Sequence, residues 1–195
     1  AAEMPFDLED SPLKGIPWEK RIILVTAHRR ENFGKPLENI CAALNDVAVK
    51  FQDEVHLVYP VHPNPNVVST VYPALDQTPN ISLVEPLDYL PMVQLMKRAY
   101  MVVTDSGGIQ EEAPSLGKPV LVLREKTERP EGVKAGSVKL AGTTQSEITA
   151  NISQLLTDQD AYQRMAQTIN PYGDGTAARQ IVSAIIHNTI KASNE

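Results

Sequence analysis

From residue 22 onward, solid apolar runs alternate with spaced ones. IILVT (22–26) is a short run of branched apolar residues, the mark of a strand buried on both faces. Leu37, Ile40, Cys41, Leu44, Val47, Ala48 and Phe51 then recur at helical spacing, with Pro36 at the start, where a proline suits a first turn. VHLVYP (55–60) predicts a second strand, closed by three prolines between 60 and 65, and Val67, Val68, Val71 and Leu75 predict a short helix after it. ISLVEP (81–86) predicts a third strand, and Leu90, Met92, Val93, Leu95, Met96 and Ala99 a helix with a broad apolar face. YMVVTD (100–105) predicts a fourth strand, followed at once by SGG and a short helix, GIQEEAPSLG, which Pro114 limits or kinks. PVLVL (119–123) predicts a fifth strand, and 138–140 a short sixth.

The tail is helical over 148–156 and 161–167. A last segment from Thr176 to about Ala192 carries Ile181, Val182, Ile185, Ile186 and Ile190 on one side. Strand–helix alternation with short connections predicts an α/β fold, a parallel sheet wrapped by helices on both faces. Residues 1–20 break the pattern. AAEMPFDLEDSPLKGIPWEKR has three prolines, five acidic residues and no sustained periodicity, so 1–20 reads as a linker or end segment and 21–195 as the domain. The start at Ala-Ala-Glu, without Met or a signal-peptide layout, predicts a chain trimmed from a longer one.

The 195 residues fit one domain, able to bury a core without a metal or disulfide staple. Eighteen basic against 24 acidic residues give a net charge of −6. That balance argues against a nucleic-acid or anionic-membrane binder, which needs a basic face. A single cysteine excludes an internal disulfide framework, and no apolar stretch reaches the roughly 18 residues of a membrane span. The expected compartment is the cytoplasm. Cys41 lies on an apolar stripe and reads as a small core residue rather than a nucleophile.

In open parallel sheets, ligands bind beyond the carboxyl ends of the strands, so the polar residues after each strand are the candidates. AHRRENFG follows the first, VHPNPN the second, DSGGIQEE the fourth and REKTERPEG the fifth. A Ser106-Gly107-Gly108 step lets a backbone approach a ligand without Cβ obstruction and points first-turn N–H groups at an anion. It equally reads as a tight turn in which Ser106 caps the helix. Glu111 and Glu112 suit the helix dipole in the first turn, or a ribose diol one turn beyond a phosphate. His28, Arg29 and Arg30 concentrate positive charge after a buried strand. Arginine pairs phosphate bidentately and histidine transfers protons near neutral pH, so an anion site leads there. His62 is either a turn residue or part of that site, whereas His56 and His187 read as structural. The pattern implies a phosphate-rich ligand, a nucleotide, but an incomplete reaction site, with His28 the one group named for proton transfer.

TAHRRENFG (26–34), YPVHPNPNV (59–67), DSGGIQEEAPSLGKPVLVLR (105–124), TERPEG (127–132) and NPYGDG (170–175) occur in an order that resembles the C-terminal half of the bacterial non-hydrolysing UDP-N-acetylglucosamine 2-epimerases. The resemblance runs from about residue 20 to about 186. It implies a glycosyltransferase-B-like fold of two Rossmann-like halves, with the active site in the cleft between them. It also implies interconversion of UDP-GlcNAc and UDP-ManNAc, by elimination of UDP and re-addition with inversion at C2, without added cofactor or metal, in service of cell-envelope polysaccharide biosynthesis. Carried over by motif, His28 is the active-site histidine of this half, and Ser106, Gly107 and Gly108 hold the diphosphate. Glu112 holds the ribose hydroxyls, the backbone near Met92 faces the uracil, and Arg29 and His62 contribute to a second, activating UDP-GlcNAc site.

Nothing in the chain corresponds to the family's N-terminal half, where catalytic carboxylates and another phosphate-binding arginine reside. The missing N-terminal domain is thus an expected partner, with a homodimer expected of the full-length protein and no turnover expected of this chain alone. Two other readings remain at this level: the donor-binding half of a glycosyltransferase of the same architecture, and a non-catalytic nucleotide-sugar sensor. A hydrolysing epimerase is a nearer neighbour.

Overall fold

The computed structural model describes residues 1–173 and 175–192, with side chains followed as far as Ile186. Six strands, β1 (Arg21–Thr26), β2 (Val55–Pro60), β3 (Ile81–Val84), β4 (Met101–Thr104), β5 (Val120–Val122) and β6 (Val138–Leu140), form one sheet. Its order is β3-β2-β1-β4-β5-β6 and every pairing is parallel. The chain moves outward from β1 on one side, then returns to start β4 on the other. The two halves therefore diverge between β1 and β4, the place where such sheets open a crevice.

The solid apolar runs have a direct cause. Along β1, Ile23 and Val25 enter the core on one face while Ile22 and Leu24 enter the core on the other. In β4, Met101 and Val103 divide from Val102 in the same way. Both faces are covered, so neither strand alternates with polar residues. The first face is closed by α1 (Lys35–Lys50), α2 (Pro65–Leu75), α6 (Gln145–Thr157) and α7 (Gln159–Ala166), which contribute Leu44, Val71, Ile152 and Ala161. The second is closed by α3 (Tyr89–Arg98) and α4 (Gly107–Ser115), through Leu95, Met96 and Ala113. A short α5 (Pro130–Ala135) precedes β6, and α8 (Ala177–Ala192) ends the described chain. Cys41 is a core residue, 1% exposed, and burial pushes its thiol up to about 12.

Residues 1–20 contain no helix or strand, in keeping with their missing periodicity. They are nonetheless bound to the domain as a strap. Leu13 and Ile16 are buried in the second core, and Phe6, Leu8 and Trp18 pack against it half-buried. Gln94 Nε2 and Lys97 Nζ in α3 donate to the carbonyls of Ala1 and Ala2 at 2.9 and 2.8 Å, and the Arg98 guanidinium lies 6.0 Å from the Trp18 ring centroid. The strap covers a face of α3 that would otherwise meet water.

The predicted last helix is present as α8, and on its apolar side Ile181, Val182, Ile185 and Ile186 are each more than half exposed. The side chains of His187 and Ile190 lie outside the described residues. Among the described residues no helix is long and apolar enough to cross a membrane.

Candidate functional site

Four adjacent strands, in the order β2-β1-β4-β5, deliver their carboxyl ends to one edge, and these are the four whose following loops carry the candidate residues. The strand ends are tied side to side. Thr26 and Thr104 share a buried hydroxyl–hydroxyl bond of 2.6 Å between β1 and β4, and the buried Tyr59 hydroxyl of β2 donates to the Ala27 carbonyl at 2.6 Å. The β1 loop then forms a 3₁₀ turn, Arg30–Asn32, and enters α1 through Gly34. At φ +77° and ψ −130°, Gly34 holds a conformation that side chains oppose.

Asp105, first residue after β4, is the organising group, and its role was not foreseen from the sequence. It is fully buried, and its Oδ2 accepts from the backbone N–H groups of His28 and Arg29, both at 2.8 Å, and from Asn32 Nδ2 at 3.0 Å. The same Asn32 amide donates to the Leu123 carbonyl at the end of β5 (3.3 Å). One carboxylate thus pins the β1 loop across the switch point. A lone aspartate ahead of SGG offers no pattern to reveal this; only the β1–β4 adjacency does.

His28 is half-buried, with Nδ1 3.8 Å from Asp105 Oδ1. Its ring stacks on that of His62 from the β2 loop, with centroids 4.9 Å apart and planes 13° from parallel. Burial lowers the His28 pKa most; Asp105 pulls it up, while His62 and Arg29 push it down. His62 is exposed and its Nδ1 accepts from the Asn64 backbone at 3.1 Å, so it is both a turn residue and a neighbour of His28. His56 lies within β2, nearly buried and bonded to Ser82 Oγ at 2.8 Å, a structural placement.

Arg29 does not add free positive charge to this edge. Its Nη2 pairs with Glu128 Oε1 at 2.8 Å, and Glu128 also pairs with Arg124, which in turn pairs with Glu31. Glu128 is the second residue the sequence did not single out. Its carboxylate stands over the SGG turn: a Cβ added to Gly107 would lie 3.2 Å from Glu128 Oε1 and 3.4 Å from Arg29 Nη2.

Ser106 occupies the N-cap position of α4, but its side chain makes no capping bond, so the expected Ser106 cap is corrected. The helix begins at Gly107. Glu111 and Glu112 therefore fall in its second turn, not the first, and the dipole account of them loses force. Spacing by four divides the helix into stripes. Gly107 and Glu111 face the loop after β5, where Glu111 pairs with Arg129. Gly108 and Glu112 lie on the adjacent stripe. Gly108 is exposed, and a Cβ added there would meet nothing within 4 Å. Glu112 borders a groove of about 960 Å³ lined also by Asn170, Tyr172 and Gln180. Burial raises the Glu112 pKa, with Glu111 adding to it. Glu112 thus belongs to that groove, whereas His28 is grouped with Asp105 and His62. The Tyr172 hydroxyl fixes the opposite bank, accepting from Gly132 N at 3.1 Å and donating to the Arg129 carbonyl at 3.2 Å. Met92 stands apart, in the first turn of α3, half-buried against the second core.

Chemically, this edge presents an uncapped helix terminus without a Cβ at its first two positions, three arginines (Arg29, Arg124 and Arg129) paired with carboxylates, and a histidine whose pKa burial lowers. That set suits a phosphorylated ligand whose reaction includes a proton transfer.

Comparison with known proteins gives the family. The family profile described as UDP-N-acetylglucosamine 2-epimerase matches residues 6–186. The UDP-N-acetylglucosamine 2-epimerase of Escherichia coli K12 is 53% identical over 172 residues, 88% of this chain and 46% of that protein. The S. aureus MnaA–UDP co-structure superposes with a TM-score of 0.86 at 43% identity, covering 97% of this chain and 50% of that one. The Neisseria meningitidis UDP-GlcNAc 2-epimerase bound to UDP-GlcNAc does so with a TM-score of 0.82 at 46% identity, covering 86% and 45%. A glycosyltransferase involved in lipopolysaccharide biosynthesis shares the fold alone, at 16% identity and a TM-score of 0.62 over 81% of this chain and 43% of that one. The chain spans about half the length of the curated relatives it matches.

Proposed function

The chain belongs to the UDP-N-acetylglucosamine 2-epimerase family, and from that premise we propose that it is the UDP-binding half of an enzyme interconverting UDP-GlcNAc and UDP-ManNAc. The observation that carries the reading is the meeting of His28 and Arg29 with the Gly107 end of α4 at the β1–β4 switch point. Relatives of the same fold are described with UDP and with UDP-GlcNAc bound.

In this reading the diphosphate lies on the first-turn N–H groups of α4, with Ser106, Gly107 and Gly108 beneath it. Arg29 exchanges Glu128 for phosphate. Glu112 accepts from the ribose hydroxyls, and the backbone near Met92 borders the uracil. The reaction eliminates UDP to a 2-acetamidoglucal and re-adds it with inversion at C2. Elimination needs a base at C2 and stabilisation of departing UDP, and His28 supplies at most one proton transfer. An N-terminal domain supplies the remaining groups, and this chain alone binds UDP weakly and does not turn over. Arg29 and His62 border a second, activating UDP-GlcNAc site. The whole enzyme is a cytoplasmic homodimer that feeds cell-envelope polysaccharide synthesis.

The test is calorimetric titration of the chain with UDP, followed by incubation with UDP-GlcNAc in deuterated water and NMR at C2. Weak UDP binding without C2 deuteration is expected. No UDP binding would end the proposal, and deuteration at an enzymatic rate would refute the division of labour. The two-domain enzyme should exchange C2 without an acceptor; a glycosyltransferase of this architecture would not.

A further inference from the structure

Asp105 has a second oxygen that the fold does not use. Its Oδ2 is saturated by three N–H donors, whereas Oδ1 is buried and has no hydrogen-bond partner. A buried unpaired carboxylate oxygen is costly, and it persists where something else requires it. The polar atom facing it is His28 Nδ1, at 3.8 Å, just beyond bonding range. The His28 main chain is tied to the same carboxylate, which keeps the ring beside Oδ1.

We propose that Asp105 is the positioning residue of the site: its Oδ1 holds His28 in the tautomer protonated at Nδ1, leaving Nε2 unprotonated toward the ligand crevice. Because the partner is an acceptor only, it selects the N–H on the ring nitrogen it faces. The carboxylate spans both jobs, since Oδ2 fixes where the histidine stands and Oδ1 fixes which nitrogen carries the proton. The remaining charged or titratable groups around the ring are His62, stacked on it, and Arg29, its chain neighbour; both oppose protonation, and Asp105 alone favours it. The catalytic meaning of this arrangement rests on His28 acting at the reaction centre, but the tautomer does not.

Asparagine at 105 separates the roles. Its carbonyl can replace Oδ2 toward the backbone N–H groups, but its NH₂ then faces His28 Nδ1 and donates to it, which selects the opposite tautomer. The same logic accounts for the loss of activity when the aspartate of a serine-protease triad becomes asparagine. The experiment is long-range ¹H–¹⁵N NMR of the imidazoles in the 195-residue chain at about pH 8, above the ordinary histidine pKa, with His28 assigned by its loss in His28→Gln. Wild type should show Nδ1–H at His28. Asp105→Asn should show Nε2–H and a His28 pKa lower by about one unit, as removal of a nearby carboxylate demands. Retained backbone amide shifts at positions 28 and 29 would show that the loop has not moved. If Asp105→Asn does not fold, the wild-type spectrum decides, because Nε2–H at His28 there overturns the proposal. An unchanged tautomer and pKa in folded Asp105→Asn overturns it equally. A correct tautomer in a chain that binds no UDP would refute the UDP-binding reading and leave the Asp105–His28 assignment standing.

Discussion

Replacement of Gly108 by valine should separate the proposed ligand binding from folding. Gly108 is exposed in the first turn of α4, its φ is not left-handed, and an added Cβ meets nothing within 4 Å. In a helix valine is a few tenths of a kcal/mol better than glycine, so the change should alter stability by no more than about 0.5 kcal/mol. For a domain of this size that moves Tm by about 2 °C at most. The same Cβ and its methyl groups stand where a diphosphate would approach the helix terminus. Loss of one charge-assisted N–H contact is worth about 1.5 to 3 kcal/mol, or about ten- to a hundredfold in Kd. This edge is open to water, so the lower end, about tenfold weaker UDP binding, is expected. Calorimetry with UDP and thermal unfolding on the same samples give both readouts. Gly107→Ala is the informative neighbour, because its Cβ would push the Glu128 carboxylate and Arg29, both flexible ends, rather than empty space. Unchanged UDP affinity in Gly108→Val would refute the diphosphate role of this turn. A fall in Tm beyond about 5 °C would refute the packing argument instead.

Leu13→Ala should cost about 2 to 5 kcal/mol in urea unfolding, because Leu13 is fully buried; a cost below about 0.5 kcal/mol would return the strap to the status of a linker. Glu128→Gln should tighten UDP binding by about two- to fivefold, since a half-exposed ion pair competes for Arg29; weaker binding in that variant would mean that Glu128 itself contacts the ligand. Burial, then Lys20, depresses the His56 pKa below its ordinary value of about 6.5. The unfolded chain therefore binds the proton more readily, so this stability is present above pH 6.5 and is lost as pH falls through the folded pKa. His56→Gln should flatten the loss of stability between about pH 7 and 5, and an unaltered slope in pH-dependent unfolding would contradict the assignment.

The sheet was legible because burial on both faces writes itself as unbroken runs such as IILVT and MVVT, and helices at 3.6-residue spacing fill the gaps. The placement of SGG and HRRENFG at one edge was legible because each follows a strand of a parallel sheet. The strap was not, since Leu13 and Ile16 are too few and too irregular to form a period, and they are buried by α3 rather than by their own neighbours. Asp105 and Glu128 were missed for a related reason. Each acts on residues roughly 77 and 99 positions away, His28 and Arg29, and no local pattern carries that information. The position of Glu111 and Glu112 erred by one turn, because α4 starts at the first glycine of SGG.

The strand order also governs when the molecule can become competent. β1 is made first but lies in the middle of the sheet, and its β4 partner is about 78 residues downstream. Closing so long a loop costs chain entropy before any pairing repays it, so the β1–β4 seam should form after the local β1–β2 and β2–β3 pairings. Every tie that aligns His28 with the α4 terminus crosses that seam. A chain emerging from the ribosome that has completed only β1 to β3 would own the histidine and arginine yet lack the carboxylate that orders them. In refolding, the His28 and Arg29 amides should gain protection from hydrogen exchange together with β4, later than the amides shared by β2 and β3. Assembly of the candidate site would then be a late event in folding, coincident with closure of the sheet's middle.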